Sequence, residues 1–456
     1  MDHHALLLSK TKRSAEAYRE AARWIPGGVT ANIKYFEPYP IIMESADGPY
    51  LYDVDENRYI DYNLCYGALI LGHGHPNVKN ALQTQLEKIG TTIFGTPHQL
   101  ETEMARTLAG LYPGIDQVRF TNSGLEATLL AIRLAMAWTG RKKLAKFEGH
   151  YHGAYDQVLI SVNPHKRNRH EPPSPAPDSR GLPEYYTKNT IILPFNDLEQ
   201  TAEILSRHRH EIAAVILEPI QGGFIPPELP FLQGLRKLTG EYGIVLIFDE
   251  VKTGFRIGIS GAQGLYGVVP DLTALGKVLG GGFPVGAVGG RREIMELCSP
   301  AGGTDILTTQ SAGAASQGKP LFHSGTYNGH PLVLSAGLAT IQTLAEPELY
   351  RQLEENTARL KAGFEEIAVR HGITARTVGV GSIFNLVFTD RPVRQIQDVL
   401  ASNLSLRKKL DQYLLENGIF IKPLNRFSMS VVHTEKVVDD TLERFENGVK
   451  KLKGKA

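Results

Sequence analysis

The chain has 456 residues, 42% of them hydrophobic and 21% charged, with a formal net charge of +1. This length predicts one large domain and one smaller domain. The near-neutral charge favours neither nucleic acid nor an anionic membrane as a partner. Two cysteines cannot form a disulfide framework, so we expect a reducing, cytoplasmic setting. We expect no signal peptide, and no apolar stretch approaches the ~20 residues that span a bilayer.

The N-terminal part combines a helix with short strands. Residues 10–24 have the pattern of an amphipathic helix, which a Pro-Gly-Gly turn closes. Strand-like segments follow at 40–44 and 49–54, with turn residues between them.

From about residue 75, helical and strand-like patterns alternate. The helical runs include 77–89 and 100–111, and the strand-like runs include 117–121, 143–147, 213–217 and 245–249. Such alternation predicts a mostly parallel sheet that is wrapped by helices. Ligands bind such sheets at the carboxyl ends of the strands. Polar or glycine residues follow the predicted strand ends, which are Thr121, Phe147, Leu217 and Asp249.

Two segments have a composition typical of long loops. Residues 163–182 are rich in proline, serine and charge, and residues 299–319 are rich in small residues. We expect both to be mobile excursions that cover the proposed site. The tail begins with a helical run at 331 and continues to strand candidates at 383–388 and 419–421. It predicts a small α+β domain that the N-terminal strands complete.

Lys277 is the most informative residue of the sequence. It lies between an apolar stretch and a triple glycine, where partial burial favours the nucleophilic amine over the ammonium. Asp249 ends an apolar run, where a buried acid needs a partner such as a protonated ring nitrogen. A Schiff-base lysine and an acid that pairs with a ring nitrogen are what pyridoxal phosphate (PLP) requires. Lys252 is a rival candidate that we disfavour, because acids and Arg256 surround it in a polar patch.

The turn at Ser123 and Gly124 joins a strand to a strong helix. Backbone N–H groups, the serine hydroxyl and the positive helix end predict a phosphate cradle. An ordinary N-cap serine is the alternative interpretation. A second small-residue turn at 322–331 is also suited to a phosphate.

Polar residues follow two further strand ends. Tyr151 is suited to stacking on a flat ring, and His152 to ordering the site or moving protons. A plain polar loop is the alternative, and the spacing of His150 and His152 also suggests zinc. Further ligands with suitable spacing do not follow, so no metal is expected. Glu218 is either an active-site acid or a solvated turn acid.

The motifs in combination resemble the class III PLP-dependent aminotransferases. They are Asn-Ser-Gly-x-Glu-Ala, Phe-Glu-Gly-x-Tyr-His-Gly, Asp-Glu-Val-x-Thr-Gly-Phe-Arg and Leu-Gly-Lys-x-x-Gly-Gly-Gly. The branch most similar to this chain contains glutamate-1-semialdehyde 2,1-aminomutase, and the similarity runs from about residue 20 to 450. The resemblance implies an α/β protein of PLP-dependent transferase fold type I. It implies a mostly parallel seven-stranded sheet in a large domain (71–330), a small α+β domain from both termini (1–70 and 331–456), and a homodimer with shared sites.

The resemblance also implies roles for individual residues. Lys277 is implied as the imine-forming and proton-shuttling lysine, and Asp249 as the partner of the pyridine nitrogen. Tyr151 and Val251 would lie against the two ring faces. The cofactor-binding residues that it implies are Ser123, Gly124, Leu125, Tyr151, His152, Glu218, Asp249, Val251, Lys277 and, from the neighbouring subunit, Thr326.

Departures from the aminomutase pattern concern the substrate. Lys34 stands where the aminomutase has an arginine that grips the substrate carboxylate, so the charge stays but the bidentate fork is lost. Tyr66 replaces a tryptophan near the substrate, and Asn425 replaces an acid. Lys34 and Tyr66 are therefore the candidate substrate-binding residues.

We predict a PLP-dependent aminotransferase that moves an amino group from an amino acid to a keto acid through a Lys277 Schiff base. The amino acid is an aryl or β-amino acid in this prediction. The alternatives are the aminomutase, which transfers the amine within one molecule, and an amino-acid racemase or epimerase. A non-catalytic phosphate-binding module is disfavoured, because it has no use for both Asp249 and Lys277.

Overall fold

Helices and strands alternate along most of the chain. The computed structural model describes residues 5–168, 171–300 and 321–453. The strands there are β1 (Met43–Asp47), β2 (Tyr50–Asp53), β3 (Arg58–Asp61), β4 (Gln117–Thr121), β5 (Lys143–Phe147), β6 (Thr190–Leu193), β7 (Ile212–Leu217), β8 (Val245–Asp249), β9 (Leu272–Gly276), β10 (Gly286–Gly290), β11 (Arg376–Val380), β12 (Ile383–Val387), β13 (Ile419–Phe420) and β14 (Phe427–Ser428).

The described residues also form helices along the whole length of the chain. They are α1 (Ala5–Lys10), α2 (Lys12–Trp24), α3 (Leu64–Gly67), α4 (Pro76–Ile89), α5 (Gln99–Leu111), α6 (Gly124–Thr139), α7 (Glu184–Asn189), α8 (Leu198–His208), α9 (Leu229–Tyr242), α10 (Gly261–Tyr266), α11 (Arg292–Met295), α12 (Pro331–Leu344), α13 (Pro347–Arg370), α14 (Ile396–Leu400), α15 (Leu404–Glu416) and α16 (Glu435–Lys453). Short 3-10 turns include Asn32–Lys34 and Lys277–Gly280.

Two compact units divide the chain. The first comprises residues 1–76, 346–393 and 398–456, and the second comprises 77–345 and 394–397. The domains predicted from the sequence divide at 70 and 330 instead. The first unit contains a four-stranded sheet in the order β1-β2-β3-β13 and a three-stranded sheet in the order β11-β12-β14. The predicted strand at 40–44 is three residues too early, because β1 begins at Met43 and pairs with β2.

The second unit is built on a seven-stranded sheet in the order β4-β10-β9-β8-β7-β5-β6. β10 runs antiparallel to both of its neighbours, and the other pairs are parallel. Every residue of β7 and β8 is buried, as expected for parallel strands that are covered on both faces. The prediction of a mostly parallel seven-stranded sheet is confirmed.

Helix α6 covers one face of this sheet. Its apolar side packs with residues of β7, β8, β9 and β10 in one hydrophobic cluster that includes Ala131, Ile216, Ile247 and Ala274. This packing fixes the start of α6 relative to the strand ends, because the helix directly follows β4.

The sheet register gathers the carboxyl ends of the strands at one edge. The predicted strands 117–121, 143–147 and 245–249 have the observed bounds, and β7 begins one residue before the predicted 213. Gly286 of β10 pairs with Thr121 on one side and with Gly276 on the other. The turn after β4 and the turn after β9 therefore lie at the same edge as Asp249.

The two predicted excursions differ in what the structure describes. Residues 301–320, which contain most of the predicted excursion at 299–319, lie outside the described residues. In the predicted loop at 163–182, Asp178 accepts hydrogen bonds from the backbone N–H groups of Val162 (2.7 Å) and Asn163 (2.8 Å). The base of this loop is thus closed by one carboxylate.

In the part of the chain that the structure describes, no helix has the length and apolar character to cross a membrane.

Candidate active site

Asp249 ends β8 as a buried carboxylate with a defined orientation. Its side chain is about 5% exposed, and Oδ2 lies 2.7 Å from Nδ1 of His152. Oδ1 accepts a hydrogen bond from the backbone N–H of Val251 (3.1 Å). Because a carboxylate only accepts, Nδ1 of His152 donates. Nε2 of His152 is buried and has no hydrogen-bond partner among the described residues.

The turn after β4 combines a helix cap with exposed helix-end donors. Oγ of Ser123 accepts from the backbone N–H of Glu126 (3.2 Å), while Glu126 Oε2 accepts from the backbone N–H of Asn122 (2.8 Å). Ser123 is therefore the N-cap and Glu126 binds the residue before it, so the N-cap interpretation is confirmed. The backbone N–H groups of Gly124 and Leu125 lie in the first helical turn, where no carbonyl exists one turn earlier. Ser123 can therefore cap the helix while the N–H groups of Gly124 and Leu125 remain available to a phosphate.

Glycines let three active-site segments approach one another closely. A Cβ at Gly124 would lie 2.6 Å from Cγ1 of Val251, which is closer than carbon atoms approach. A Cβ at Gly276 would lie 3.3 Å from the same methyl group and 3.4 Å from Cα of Gly124. Val251, the Ser123 turn and the residue before Lys277 are thus in mutual contact.

Lys277 begins a 3-10 turn at the end of β9. It is half-buried, and its φ of 49° lies in the left-handed region that side chains other than glycine rarely adopt. The turn packs tightly on α12, because a Cβ at Gly281 would lie 2.8 Å from the carbonyl of Ala336. A strained conformation that its surroundings enforce is common at functional residues.

Tyr151 is half-exposed and is held through its backbone. Its N–H donates to Oε2 of Glu218 (3.1 Å), which also accepts from the N–H of Gly222 (3.3 Å). Glu218 is only 6% exposed, so the interpretation as a solvated turn acid is wrong. Partial burial, followed by the charges of Asp249 and Glu218, raises the pKa of the Tyr151 phenol.

His150 binds the backbone through one of its ring nitrogens. Its Nδ1 accepts from the N–H of Glu218 (2.9 Å). Burial, followed by the charges of His152 and Lys146, lowers the pKa of His150 well below its usual value. The described residues contain no cluster of three or more histidine, cysteine or acidic side chains that is suited to a metal ion.

The rival lysine, Lys252, is not in an exposed polar patch. Its side chain is 8% exposed, and neighbouring Arg256 is fully buried. The stem of Lys252 passes close to Gly223, where a Cβ would lie 2.8 Å from Cδ. The polar patch that the sequence indicated around Lys252 is therefore buried.

Three further residues of the predicted site have local surroundings of their own. Thr326 is exposed in the turn that leads into α12. In the first unit, exposed Lys34 donates from Nζ to Oγ1 of Thr30 (2.8 Å), and the Tyr66 hydroxyl donates to the carbonyl of Ile33 (3.1 Å). Lys422 Nζ also donates to the carbonyl of Ile33, and sequence reasoning missed this contact. Residues 33 and 422 are distant in sequence, so no local pattern could have indicated it.

The residues at the sheet edge fit PLP. Buried Asp249 is suited to a protonated ring nitrogen, and the Ser123 turn to a phosphate. Val251 and Tyr151 offer surfaces for the two ring faces, and Lys277 offers an amine. The buried, unpartnered Nε2 of His152 agrees with a polar group at this edge.

Comparison with known proteins points to one family of PLP-dependent enzymes. The family described as Aminotransferase class-III matches residues 34–451. The glutamate-1-semialdehyde 2,1-aminomutase of Desulforudis audaxviator is 43% identical over 441 residues, which are 95% of this chain and 96% of the relative.

Solved structures agree with this family. An omega-transaminase from Sphaerobacter thermophilus has a TM-score of 0.89 and 35% identity, covering 96% of this chain and 97% of its own. A β-phenylalanine aminotransferase from Variovorax paradoxus has a TM-score of 0.83 and 31% identity, covering 99% and 96%. Because the family match spans most of the chain and the sheet edge fits the cofactor, the chain belongs to the class III aminotransferases, a family of PLP-dependent enzymes of fold type I.

Proposed function

We propose that this enzyme moves the amino group of glutamate-1-semialdehyde between adjacent carbons of the same molecule. The observation that carries the proposal is the 43% identity to the Desulforudis audaxviator aminomutase over nearly the full length of both chains. This reaction was the alternative in the sequence-based prediction. The comparisons support it better than the transfer between two molecules that the sequence put first.

The residues at the sheet edge would share the work of this reaction. When bound, PLP supplies an electron-withdrawing ring and a carrier for the amino group. Lys277 would hold the cofactor through Nζ and move a proton at the reacting carbon. Asp249 would keep a proton on the ring nitrogen, and the 2.7 Å contact with His152 fixes the carboxylate for this task. Tyr151 and Val251 would orient the ring.

The phosphate and the substrate need further groups. Ser123, Gly124 and Leu125 would bind the phosphate through the start of α6. Lys34 would pair with a carboxylate of the substrate, and Tyr66 supports the same turn because it donates to the adjacent carbonyl of Ile33. Glu218 would act through Tyr151, whose backbone N–H it accepts.

A transaminase is the second candidate. Lys34 lacks the planar fork with which arginine holds a carboxylate. The omega-transaminase and the β-phenylalanine aminotransferase also cover nearly all of this chain at 35% and 31% identity. Both observations favour an amino donor other than glutamate-1-semialdehyde.

A single pair of incubations separates the candidates. Purified enzyme receives ¹⁵N-labelled glutamate-1-semialdehyde, with and without an added keto acid such as pyruvate or 2-oxoglutarate. The proposal expects complete conversion to 5-amino-4-oxopentanoate without the keto acid, and retention of the label in the product. A strict requirement for the keto acid would refute the mutase and support the transaminase. Inversion at the same carbon would indicate a racemase.

We also propose a homodimer with shared sites. Thr326 is exposed in the turn before α12, as expected if it reaches the phosphate of a neighbouring subunit. Mixed dimers of Thr326→Arg and Lys277→Ala chains would contain one site with both native residues. We expect each homodimer to be inactive and the mixture to regain part of the activity. No recovery from confirmed mixed dimers would contradict shared sites.

A cytoplasmic location completes the proposal. Cys65 is exposed, Cys298 is buried and neither forms a disulfide bond in the structure, which suits a reducing compartment. Fractionation of cells that express the native gene should recover the enzyme with cytoplasmic markers.

A further inference from the structure

Three polar side chains form a cluster around the buried Glu148, which precedes Tyr151 by three positions in the sequence. Arg167 donates from Nε to Oε1 of Glu148 (2.9 Å) and from Nη2 to Oε2 (2.8 Å). Gln397 donates from Nε2 to Oε2 of the same carboxylate (3.3 Å). The side chains of Glu148 and Arg167 are only 6% and 14% exposed. We call Glu148, Arg167 and Gln397 the Glu148 cluster.

The cluster joins segments that are far apart in the sequence. Oε1 of Gln397 accepts from the backbone N–H of Arg167 (3.1 Å), and its Nε2 also donates to the carbonyl of His165 (3.1 Å). Gln397 belongs to the short segment 394–397, which is part of the second unit. Asn196 anchors this segment, because its Nδ2 donates to the carbonyl of Arg394 (2.8 Å).

The backbone between the cluster and Tyr151 has little freedom to adjust. The carbonyl of Glu148 accepts from Nε2 of Gln221 (2.6 Å), and the N–H of Gly149 donates to the carbonyl of Ser161 (2.8 Å). Gly149 has a φ of 78°, and a Cβ there would lie 2.9 Å from Cγ2 of Ile396. If Glu148 moved, the backbone of Gly149 and His150 could not absorb the movement, and Tyr151 would therefore move as well.

We propose that Glu148, Arg167 and Gln397 are positioning residues that set the place of Tyr151 beside the cofactor ring. The proposal rests on the proposed role of Tyr151. The two parallel hydrogen bonds between Arg167 and Glu148 fix the geometry as well as the charge. A buried ion pair adds little net stability compared with apolar side chains, but removal of one partner leaves a buried charge that must move or find water. The cluster thus defines one backbone position for the segment 148–151.

The test measures cofactor binding and ring orientation separately from turnover. Apoenzyme is titrated with PLP, and circular dichroism in the visible band of bound PLP reports how the ring is held. We expect Arg167→Met to raise the dissociation constant of PLP about tenfold and to reduce the dichroism. A tenfold change corresponds to the free energy that one charged hydrogen bond contributes. Arg167→Lys keeps the charge without the fork and should give a smaller effect of the same sign.

A double variant separates positioning from stability. In Glu148→Met with Arg167→Met no charge is left without a partner, so thermal stability should return close to that of the parent. The dichroism should remain altered, because the fork that places the segment is absent. Recovery of both signals together would show that the cluster only stabilises the fold. If Arg167→Met does not fold, Gln397→Met gives the same comparison with a neutral hydrogen bond removed.

Two controls complete the test. Arg180→Met removes an exposed arginine from the same part of the chain and should leave affinity and dichroism at the parent values. Tyr151→Ala should alter the dichroism by itself. An unchanged signal there would refute the role of Tyr151, whatever reaction the enzyme catalyses. Parent-like affinity and dichroism in folded Arg167→Met would overturn the proposal itself.

Discussion

At the scale of single residues, Lys277 combines a left-handed backbone with a half-buried amine. Its φ of 49° costs about 1–3 kcal/mol, which the packing of the following glycines against α12 must offset. An exposed surface lysine gains nothing from such strain. The conformation therefore favours a functional role for Lys277 at the end of β9.

Replacement of Lys277 tests this explanation. We expect Lys277→Ala to lose the visible band that borohydride reduces and to lower turnover at least about 10³-fold, since a positioned proton-transfer group contributes 10²–10⁴. Lys252→Met is the matched comparison, because Lys252 is the rival amine. It should retain the reducible band, and loss of the band in Lys252→Met alone would assign the cofactor to Lys252.

Asp249 is expected to act through the charge of the ring nitrogen. We expect Asp249→Ala to lower turnover by about 10²- to 10³-fold, the usual cost of one preorganised electrostatic group. A PLP analogue with a methylated ring nitrogen carries a fixed positive charge and should recover part of that loss. Steady-state rates with both cofactors measure the recovery. Equal loss with both cofactors would mean that Asp249 has a different role.

Some single residues could be assigned to the site from the sequence, and others could not. Lys277 and Asp249 stand out because a charged residue beside an apolar run is unusual. Glu218 gave no such signal, since a carboxylate before Pro219 and Gly222 suits a solvated turn equally well. Its burial and its bond to the backbone of Tyr151 depend on how β5 and β7 pair.

At the scale of elements, the start of α6 meets the turn after β8. The N-cap Ser123 fixes where the helix begins, and Gly124 lets the turn approach Val251. The proposed phosphate cradle and the proposed contact of Val251 with one ring face are therefore parts of a single packing arrangement.

Gly124→Ala tests this arrangement. The added Cβ would lie 2.6 Å from Cγ1 of Val251, so we expect about 1–3 kcal/mol lower stability and weaker PLP binding. Gly110→Ala is the matched control, because Gly110 is exposed in α5 and a Cβ there meets nothing within 4 Å. It should stabilise the protein by about 0.5–1 kcal/mol. Thermal unfolding and PLP titration check both variants, and parent-like PLP affinity in Gly124→Ala would argue against the close contact.

At the scale of the whole molecule, a fully buried lysine makes stability depend on pH. Lys146 lies in β5 and donates to the carbonyl of Ile160. Burial lowers the pKa of Lys146 to about 7, although the charges of Asp178 and Glu218 oppose this shift. The folded protein therefore releases a proton near pH 7, whereas the unfolded chain releases it near 10.5.

The sign of the effect follows from proton binding. Between these two pKa values the unfolded chain holds more protons, so the contribution of Lys146 to stability rises with pH. Below about pH 7 its cost is fully present. We expect Lys146→Met to raise the free energy of unfolding by roughly 3 kcal/mol at about pH 6, with the gain fading toward about pH 10. Lys143→Met in the same strand loses only a partly exposed pair with Glu211 and should change stability by less than about 1 kcal/mol.

Urea unfolding at several pH values measures both variants against the parent. A gain for Lys146→Met that does not change with pH would mean that the ammonium is solvated in the folded protein.

The sequence by itself indicated four strands of the central sheet, its mostly parallel α/β character and the candidates at the sheet edge. Local patterns carry this information, because Asp249 ends the apolar run of β8, Ser123 lies two residues after β4 and Lys277 directly follows β9. Lys277 and Asp249 already indicated the cofactor, and the resemblance to a family added the number of strands, because it draws on many positions together.

Only the tertiary structure decided which distant groups support the site. Gly286 of β10 joins the turns after β4 and β9 through backbone pairing, which leaves no mark on either turn. Gln397 reaches Glu148 across 249 positions of sequence, and His150 turns its Nδ1 toward the backbone of Glu218. Such contacts depend on the packing of the whole sheet and its neighbouring segments. A local sequence pattern specifies the conformation of one element, whereas hydrogen bonds between elements exist only after the chain has folded.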